Sequence, residues 1–514
     1  MRWVFGFGMW LLGFLAAGCV RAAEPANPNA ITVGVRTPPN NLNPLLANDE
    51  TSTRVGQLVF SSLTDLGDDL RATPTLAEAI ENPDPLTWVV RLRRGVKFHD
   101  GEEMTSEDVV YTFAKLLEPE FVSPYKGAYR MLAGVRPLDD YTVEFKLSEP
   151  FVSFAEQLTT PSVVPAHAAD SLSVRPIGSG PYRFVRYDTD DQVVLAAFEQ
   201  YFDGAPRNAG VILKIIPDDT MRGLELRKGT IDLVINQLPP DIVHQFEQSG
   251  ELRVHRSLGL DFMYIGVNMR DPVLSDRRVR HAIGYAIDRQ AIVDHLRRGL
   301  ARVAEGPLIP RQVWAFEPAV SRFTYDPERA KRLLDEAGYP DPDGDGPVPR
   351  LQVSLKVSNA EEFVLQATVI QQDLRRVGIN ADVRSYEFAT FFADVVKGNT
   401  QLWAMQWVGG AVADPDMLRR VFHSQQVPPA GFNRGRYVNP DIDRLLDLAA
   451  TSLDEDERRK YFSEVQKIIA DDAPYIPLWN RTNAVVAQPN LTGMQLNAIG
   501  GYQSLKDVRR IASY

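Results

Sequence analysis

Gln401-Leu-Trp-Ala-Met-Gln-Trp-Val-Gly-Gly410, continuing as Ala411-Val-Ala-Asp-Pro-Asp416, is the stretch on which the reading of this chain turns. Its composition is that of a strand. Successive side chains on a strand point to opposite faces, so Leu402, Ala404, Gln406 and Val408 share one side and Trp403, Met405 and Trp407 the other. Gly409 and Gly410 then leave the backbone open to close approach by another chain segment or a ligand. Two readings suit the pattern: the wall of a binding cleft, or a buried central strand whose tryptophans are core.

The surroundings of this stretch alternate strand and helix. Asp326-Pro-Glu-Arg-Ala-Lys-Arg-Leu-Leu-Asp-Glu-Ala-Gly338 carries a full set of helix signals. Asp326 is placed to cap, Pro327 sits at the first helical position, Ala330, Leu333, Leu334 and Ala337 share a face, and Gly338 stops the helix. Phe363, Ala367, Ile370 and Leu374 mark a second helix, followed by a strand from Ile379 to Tyr386 and a helix from Thr390 to Lys397. Upstream, Val279 to Ile287 has helical spacing, and Asp288 is placed to cap a helix ending near Gly299. Leu226 to Ile235 reads as a helix end, a glycine cap and a buried strand. This is the pattern of a wound α/β domain.

Nearer the N-terminus, Ile31 to Val35 is a first strand. Leu86 to Phe98 gives two short strands ahead of a turn at His99-Asp-Gly101. Thr105-Ser-Glu-Asp108 opens a helix in capping-box style. Gly178 and Gly180, in Pro176-Ile-Gly-Ser-Gly-Pro-Tyr182, lead into a strand rather than a capped helix. They read as a tight backbone crossing, not a phosphate loop.

A chain of 514 residues exceeds one ordinary core, so two or three domains are expected. The net charge of -11 argues against a nucleic-acid or anionic-membrane partner. The single cysteine, Cys19, excludes a disulfide framework and a cysteine zinc site. It follows a short apolar run, Trp3 to Ala17, that reads as an export signal. Leu15-Ala-Ala-Gly-Cys19 resembles a lipoprotein box with Cys19 as the acylated residue; cleavage after Ala22 is the rival. Asp341, Asp343 and Asp345 alternate as at the start of a calcium loop, but Gln352 stands where the bidentate glutamate belongs, so an acidic turn is expected and no metal. The histidines are scattered, and no Gly-x-Ser-x-Gly elbow or His-Glu-x-x-His helix occurs, so an exported hydrolase is the minor alternative.

Taken in order, these segments resemble the family 5 extracellular solute-binding proteins, the oligopeptide-, dipeptide- and nickel-binding components of ATP-driven importers. The blocks are Leu92–Phe113, Gly178–Phe184, Arg277–Asp288, Tyr325–Tyr339, Asn439–Asp443 and Ala473–Leu478. The resemblance implies an α/β, periplasmic-binding-protein-like (cluster C) fold with two hinged lobes and an added inserted domain. Residues 1–23 would be the signal peptide, 27–60, 178–266 and 481–514 lobe I, 61–177 the inserted domain II, and 267–480 lobe III. Crossings near Gly266–Asn268 and Leu478–Asn480 would form the hinge.

The implied function is to capture peptides outside the cytoplasm, in the periplasm or on the outer face of a bacterial membrane. The protein would act as a monomer, without cofactor or catalysis, and pass the ligand to a membrane permease and ATPase. Carried over by position, Gln406, Trp407, Val408 and Gly409 form the ligand wall, with Tyr264, Trp479, Asn480 and Asn433 as neighbours. The departure is Gly410, which stands where peptide-binding relatives carry an aspartate for the ligand's ammonium. Either Asp414 reaches back, or the ligand is a modified peptide, a metal chelate or an oligosaccharide. A sensing role beside a membrane receptor is also compatible with this pattern.

Overall fold

The computed structural model describes residues 29–310, 313–344, 346–408, 413–428 and 431–511. The leader with Cys19, together with Asp345, Gly409 and Gly410, lies outside the described residues.

One mixed sheet runs through two α/β lobes. On the lobe III side its strands are, in spatial order, Ile379–Tyr386, Leu351–Ser358, Leu402–Trp407 and Arg253–Val267. Tyr475–Ala487 follows, with Ala301–Val303 also paired to it. Lobe I continues through Leu233–Ile235, Ile31–Val35, Gly210–Ile215, Gln192–Ala197 and Tyr182–Asp188. Both faces are covered, as the apolar runs demand. In lobe I, Val485 and Ile235 pack with Val33 and Leu213 on one face, while Val486 and Val234 pack with Leu226 and Phe246 on the other. In lobe III, Leu402 and Ala404 meet Ile370 and Leu374, and Trp403, Met405 and Trp407 meet Tyr264, Phe422 and Tyr475.

Two long antiparallel strands, Arg253–Val267 and Tyr475–Ala487, join the lobes. Arg253 to Leu258 pairs with Ala487 to Thr482, and Phe262 to Gly266 pairs with Asn480 to Tyr475. The register breaks between Leu258 and Phe262. Gly259 sits in that break, and a Cβ there would lie 2.5 Å from the Arg481 carbonyl oxygen. Gly266, by contrast, is paired on both sides, to Trp403 and Tyr475. Its missing side chain makes room for the Trp403 indole, which would lie 2.2 Å from a Cβ. The glycine read as a junction is a packing glycine, and the irregular crossing lies nearer Gly259.

A separate antiparallel sheet of Ala77–Asp84, Thr87–Leu92, Thr142–Leu147 and Leu132–Asp139 forms a smaller unit with its own core. The helix Ser106–Leu117 covers it with Val109, Phe113 and Leu116. Asp108 accepts from the Thr105 N–H at 3.0 Å and from the Ala166 N–H at 2.9 Å, so the capping carboxylate also ties down the return loop.

This unit meets lobe I where Gly178 and Gly180 cross the helix Glu50–Val59. A Cβ on Gly178 would stand 2.1 Å from the Val59 carbonyl oxygen, and one on Gly180 2.6 Å from its carbonyl carbon. His99 seals the crossing. Its Nε2 lies 3.0 Å from the Gly180 carbonyl and its Nδ1 accepts from the Gly178 N–H at 3.3 Å. Burial lowers the imidazole pKa to about 4, so the ring is neutral at pH 7.

Local chemistry explains the helix Pro327–Glu336. Asp326 accepts from the Arg329 N–H at 2.8 Å, Ala330 and Leu334 are buried, and Gly338 is left-handed at φ +90°. In the acidic loop, Asp341 accepts from the N–H groups of Asp343 and Gly344 and pairs with Arg350 at 3.2 Å. Asp343 accepts from the Val348 N–H at 3.0 Å. These carboxylates hold their own turn. Among the described residues no helix is long and apolar enough to cross a membrane.

Candidate ligand-binding cleft

A cavity of about 790 Å³ opens between the lobes and the smaller unit. Lobe I supplies one wall through the helix Glu50–Val59, whose N-cap Asp49 accepts from the Ser52 N–H at 2.9 Å. The floor is a polar network at the lobe junction. Asn236 donates to Asn483 Oδ1 at 3.1 Å and accepts from the Ala484 N–H at 2.9 Å. Asn483 in turn donates to the carbonyls of Asn497 and Ala498. The smaller unit supplies Asp65, Leu66 and the segment Thr159 to Ser162, and lobe III supplies Gln406 and Val408.

A hairpin of Thr64–Leu66 and Ala72–Pro74 carries Asp65 and bridges to lobe III. Its tip residue Leu70 is only 4% exposed, packed among side chains of the lobe III core, and has φ 62°. Arg71 forms a two-pronged ion pair with Glu455 and lies 5.6 Å from the centre of the Trp314 ring. Nearby, Arg420 donates to Gln157 at 2.8 Å and Arg458 to Ser153 at 3.1 Å. Polar contacts therefore link the smaller unit to lobe III beside the cavity-lining hairpin.

Charges on the cavity wall mostly pair with each other. Asp203 is bonded to Lys506, Asp261 lies 3.7 Å from Arg481, and Glu50 lies 3.8 Å from Arg54. Arg93 donates to the Thr75 carbonyl at 2.6 Å. Asp65 differs: it accepts from the N–H of its neighbour Leu66 at 2.8 Å, and among the described residues it forms no ion pair. Burial raises its pKa above the usual carboxylate value.

The expected site residues divide sharply. Gln406 and Val408 line the cavity, Val408 being 55% exposed. Trp407 points to the other face, 6.4 Å from Tyr264 in a stacked arrangement and 4.6 Å from the Arg434 guanidinium. Tyr264 is fully buried and stacks on Tyr475 at 4.0 Å. Trp479 is buried in the opposite core of lobe III, and Asn480 lies beside it, opposite Phe262 and Arg302 in the sheet. None of these four lines the cavity.

Asn433 is buried and spent on its own loop. It donates to the carbonyls of His423 and Tyr437 and accepts from the Tyr437 N–H. Asp414 is also away from the cavity. It accepts from the Asp416 N–H at 3.0 Å and its charge acts on Glu156 and Asp416. Sequence reasoning missed Asp65 and the polar floor, because each is an isolated polar residue whose neighbours come from distant segments.

Residues 71–428 match the family model described as "Bacterial extracellular solute-binding proteins, family 5 Middle". The chain is 29% identical over 492 residues to the oligopeptide-binding protein AppA of Bacillus subtilis, covering 92% of this chain and 90% of that one. It is also 29% identical to heme-binding protein A of Haemophilus influenzae, with 93% and 92% covered. The structure of Bacillus subtilis AppA in complex with a nonapeptide superposes with a TM-score of 0.79 at 28% identity, covering 94% of this chain and 99% of that one. NikZ from Campylobacter jejuni in complex with Ni(L-His) gives 0.78 at 25% identity, with 94% and 99% covered. The architecture is periplasmic-binding-protein-like, cluster C.

Proposed function

This chain belongs to the bacterial extracellular solute-binding proteins of family 5, and from that premise we propose that its ligand is a short peptide held between lobes I and III. Proteins of this family are non-catalytic, extracytoplasmic components of ABC transporters, and they work with a membrane permease and ATPase. The observation that carries the peptide reading is the cavity of about 790 Å³. It is of the size that encloses a small organic ligand, and hydrogen-bonding groups reach it from the segments on every side. The exposed end of the Leu402–Trp407 strand, at Gln406 and Val408, offers main-chain pairing to an extended ligand.

Closure follows from differential contact. A ligand touching Gln406 on one side and the Glu50–Val59 helix on the other gains both sets of contacts only when the lobes are shut, so it shifts the population to the closed form. The relatives named above include proteins described as binding oligopeptide, heme and a nickel–histidine complex. A metal chelate, a modified peptide or an oligosaccharide is therefore the alternative ligand class.

Native mass spectrometry of the purified protein, followed by tryptophan-fluorescence titration, tests the reading. Retained peptide masses and a response to a mixed peptide library support it. A response confined to chelates or sugars sinks the peptide assignment while leaving solute binding intact.

A further inference from the structure

Asp65 stands out on the cavity wall because nothing there answers its charge. The other wall carboxylates are each committed: Asp203 to Lys506, Asp261 to Arg481, Glu50 to Arg54, and Asp49 to the N-terminus of its helix. Asp65 holds only its neighbour's N–H at 2.8 Å. A carboxylate drawn out of water without a cation is costly, and the cost is recovered when a bound molecule brings the cation. Its place in the fold adds to this. Asp65 lies in the hairpin whose tip, Leu70 and Arg71, docks on lobe III, so a charge held there sits on an element that joins the smaller unit to lobe III at the cavity wall.

We infer that Asp65 recognises a cationic group of the ligand, the free α-ammonium of a peptide, in place of any acid from the loop after Leu402–Trp407. The inference rests on the peptide reading given above. Asp414 does not line the cavity: it accepts from the Asp416 N–H, and its charge raises the pKa of Glu156 and Asp416, so the acid nearest that loop in sequence stands apart from the space open to a ligand. The bland alternative is that Asp65 is a surface acid of a hairpin. A surface acid would be solvated, whereas burial raises the pKa of this one and it lines the cavity.

The test is calorimetric titration with tripeptides to pentapeptides of mixed sequence, each with a free and an Nα-acetylated terminus, at pH 7.5. Wild-type protein is expected to prefer the free amine by roughly ten- to hundredfold, the scale of one charge-assisted hydrogen bond. Asp65→Asn is expected to erase that gap, chiefly by lowering the affinity for the free-amine peptides. A second measurement needs no variant. In wild type the preference should shrink as the pH falls and the carboxylate is protonated. Equal binding of both peptide forms by wild type, or an undiminished gap in Asp65→Asn, overturns the assignment of Asp65 and leaves peptide binding standing. No response to either form by wild type overturns the peptide reading, and this inference with it.

Discussion

Arg71 and Glu455 meet in a bidentate ion pair, Nη1 to Oε2 at 2.7 Å and Nη2 to Oε1 at 2.8 Å, although they lie 384 residues apart in the chain. The pair ties the hairpin of the smaller unit to the first turn of the helix Glu455–Asp472 in lobe III. Both side chains are more than 40% exposed, so the energy is modest despite the fork geometry. A double-mutant cycle of Arg71→Ala and Glu455→Ala should give a coupling of about 0.5–1 kcal/mol. The loss should appear as faster ligand release in stopped-flow fluorescence, with little change in association rate. Equal release rates in all four proteins would mean that this contact does not hold the closed form.

Trp407 and Gln406 are adjacent, yet their substitution should have opposite signatures. Trp407→Ala removes a core side chain stacked with Tyr264 and is expected to cost about 3–5 kcal/mol in urea unfolding. Gln406→Ala should shift the melting temperature by less than about 2 °C. It should nevertheless weaken ligand binding, because Gln406 faces the cavity.

Two buried groups give pH dependences of opposite sign. His99 titrates near 4 in the folded protein against an ordinary 6.5, because it is desolvated. The unfolded chain then binds more protons in that window, so the stability due to neutral His99 is present above pH 6.5 and is lost toward pH 4. The magnitude is on the order of 3 kcal/mol. His99→Phe should be less stable at pH 7 and show a flatter slope across this window.

Burial, reinforced by the charge of Asp414, pushes the Asp416 pKa up to about 6. Its contribution is fully favourable only below the unfolded value near 3.8 and is lost as the pH rises through about 6. Asp416→Asn should therefore melt higher than wild type at pH 7. The difference should vanish below about pH 4, where both residues are neutral. A lower melting temperature at pH 7 would show that the charged form is the one the surrounding structure requires.

The glycines at the lobe I crossing should be intolerant of a methyl group. Gly178→Ala and Gly180→Ala would drive a Cβ into the Val59 backbone and should destabilise by about 1–3 kcal/mol or more. Gly134→Ala, with nothing within 4 Å, should stay within about 0.5 kcal/mol of wild type by thermal melting.

The helix Pro327–Glu336 and the alternation in Leu402–Trp407 were legible because their determinants are local: a cap, a proline, a period of two. Which part of that strand faces the cavity was not. Both of its faces are covered by lobe III cores, and the cavity takes only the end of the strand. Large aromatics beside Gly409 and Gly410 suggested a binding wall, but those glycines lie outside the described residues, and the Trp403 indole packs into the room left by Gly266 on the neighbouring strand. Asn433 looked like a ligand contact because a loop asparagine carries donors and acceptors; three of those are consumed within the loop. Asp65 gave no local signal at all. Its importance comes from what fails to pair with it, and a list of residues does not show that.

The shared pair of strands, Arg253–Val267 and Tyr475–Ala487, has a mechanical consequence. Because each is stitched into a lobe at both ends, the lobes cannot swivel freely, and the compliant place is the unmatched stretch around Gly259. Such a joint bends about one axis, like the spine of a book. Ligands of different size between the pages would then close the same joint, and the outer surface would report that a ligand is present more than which one it is.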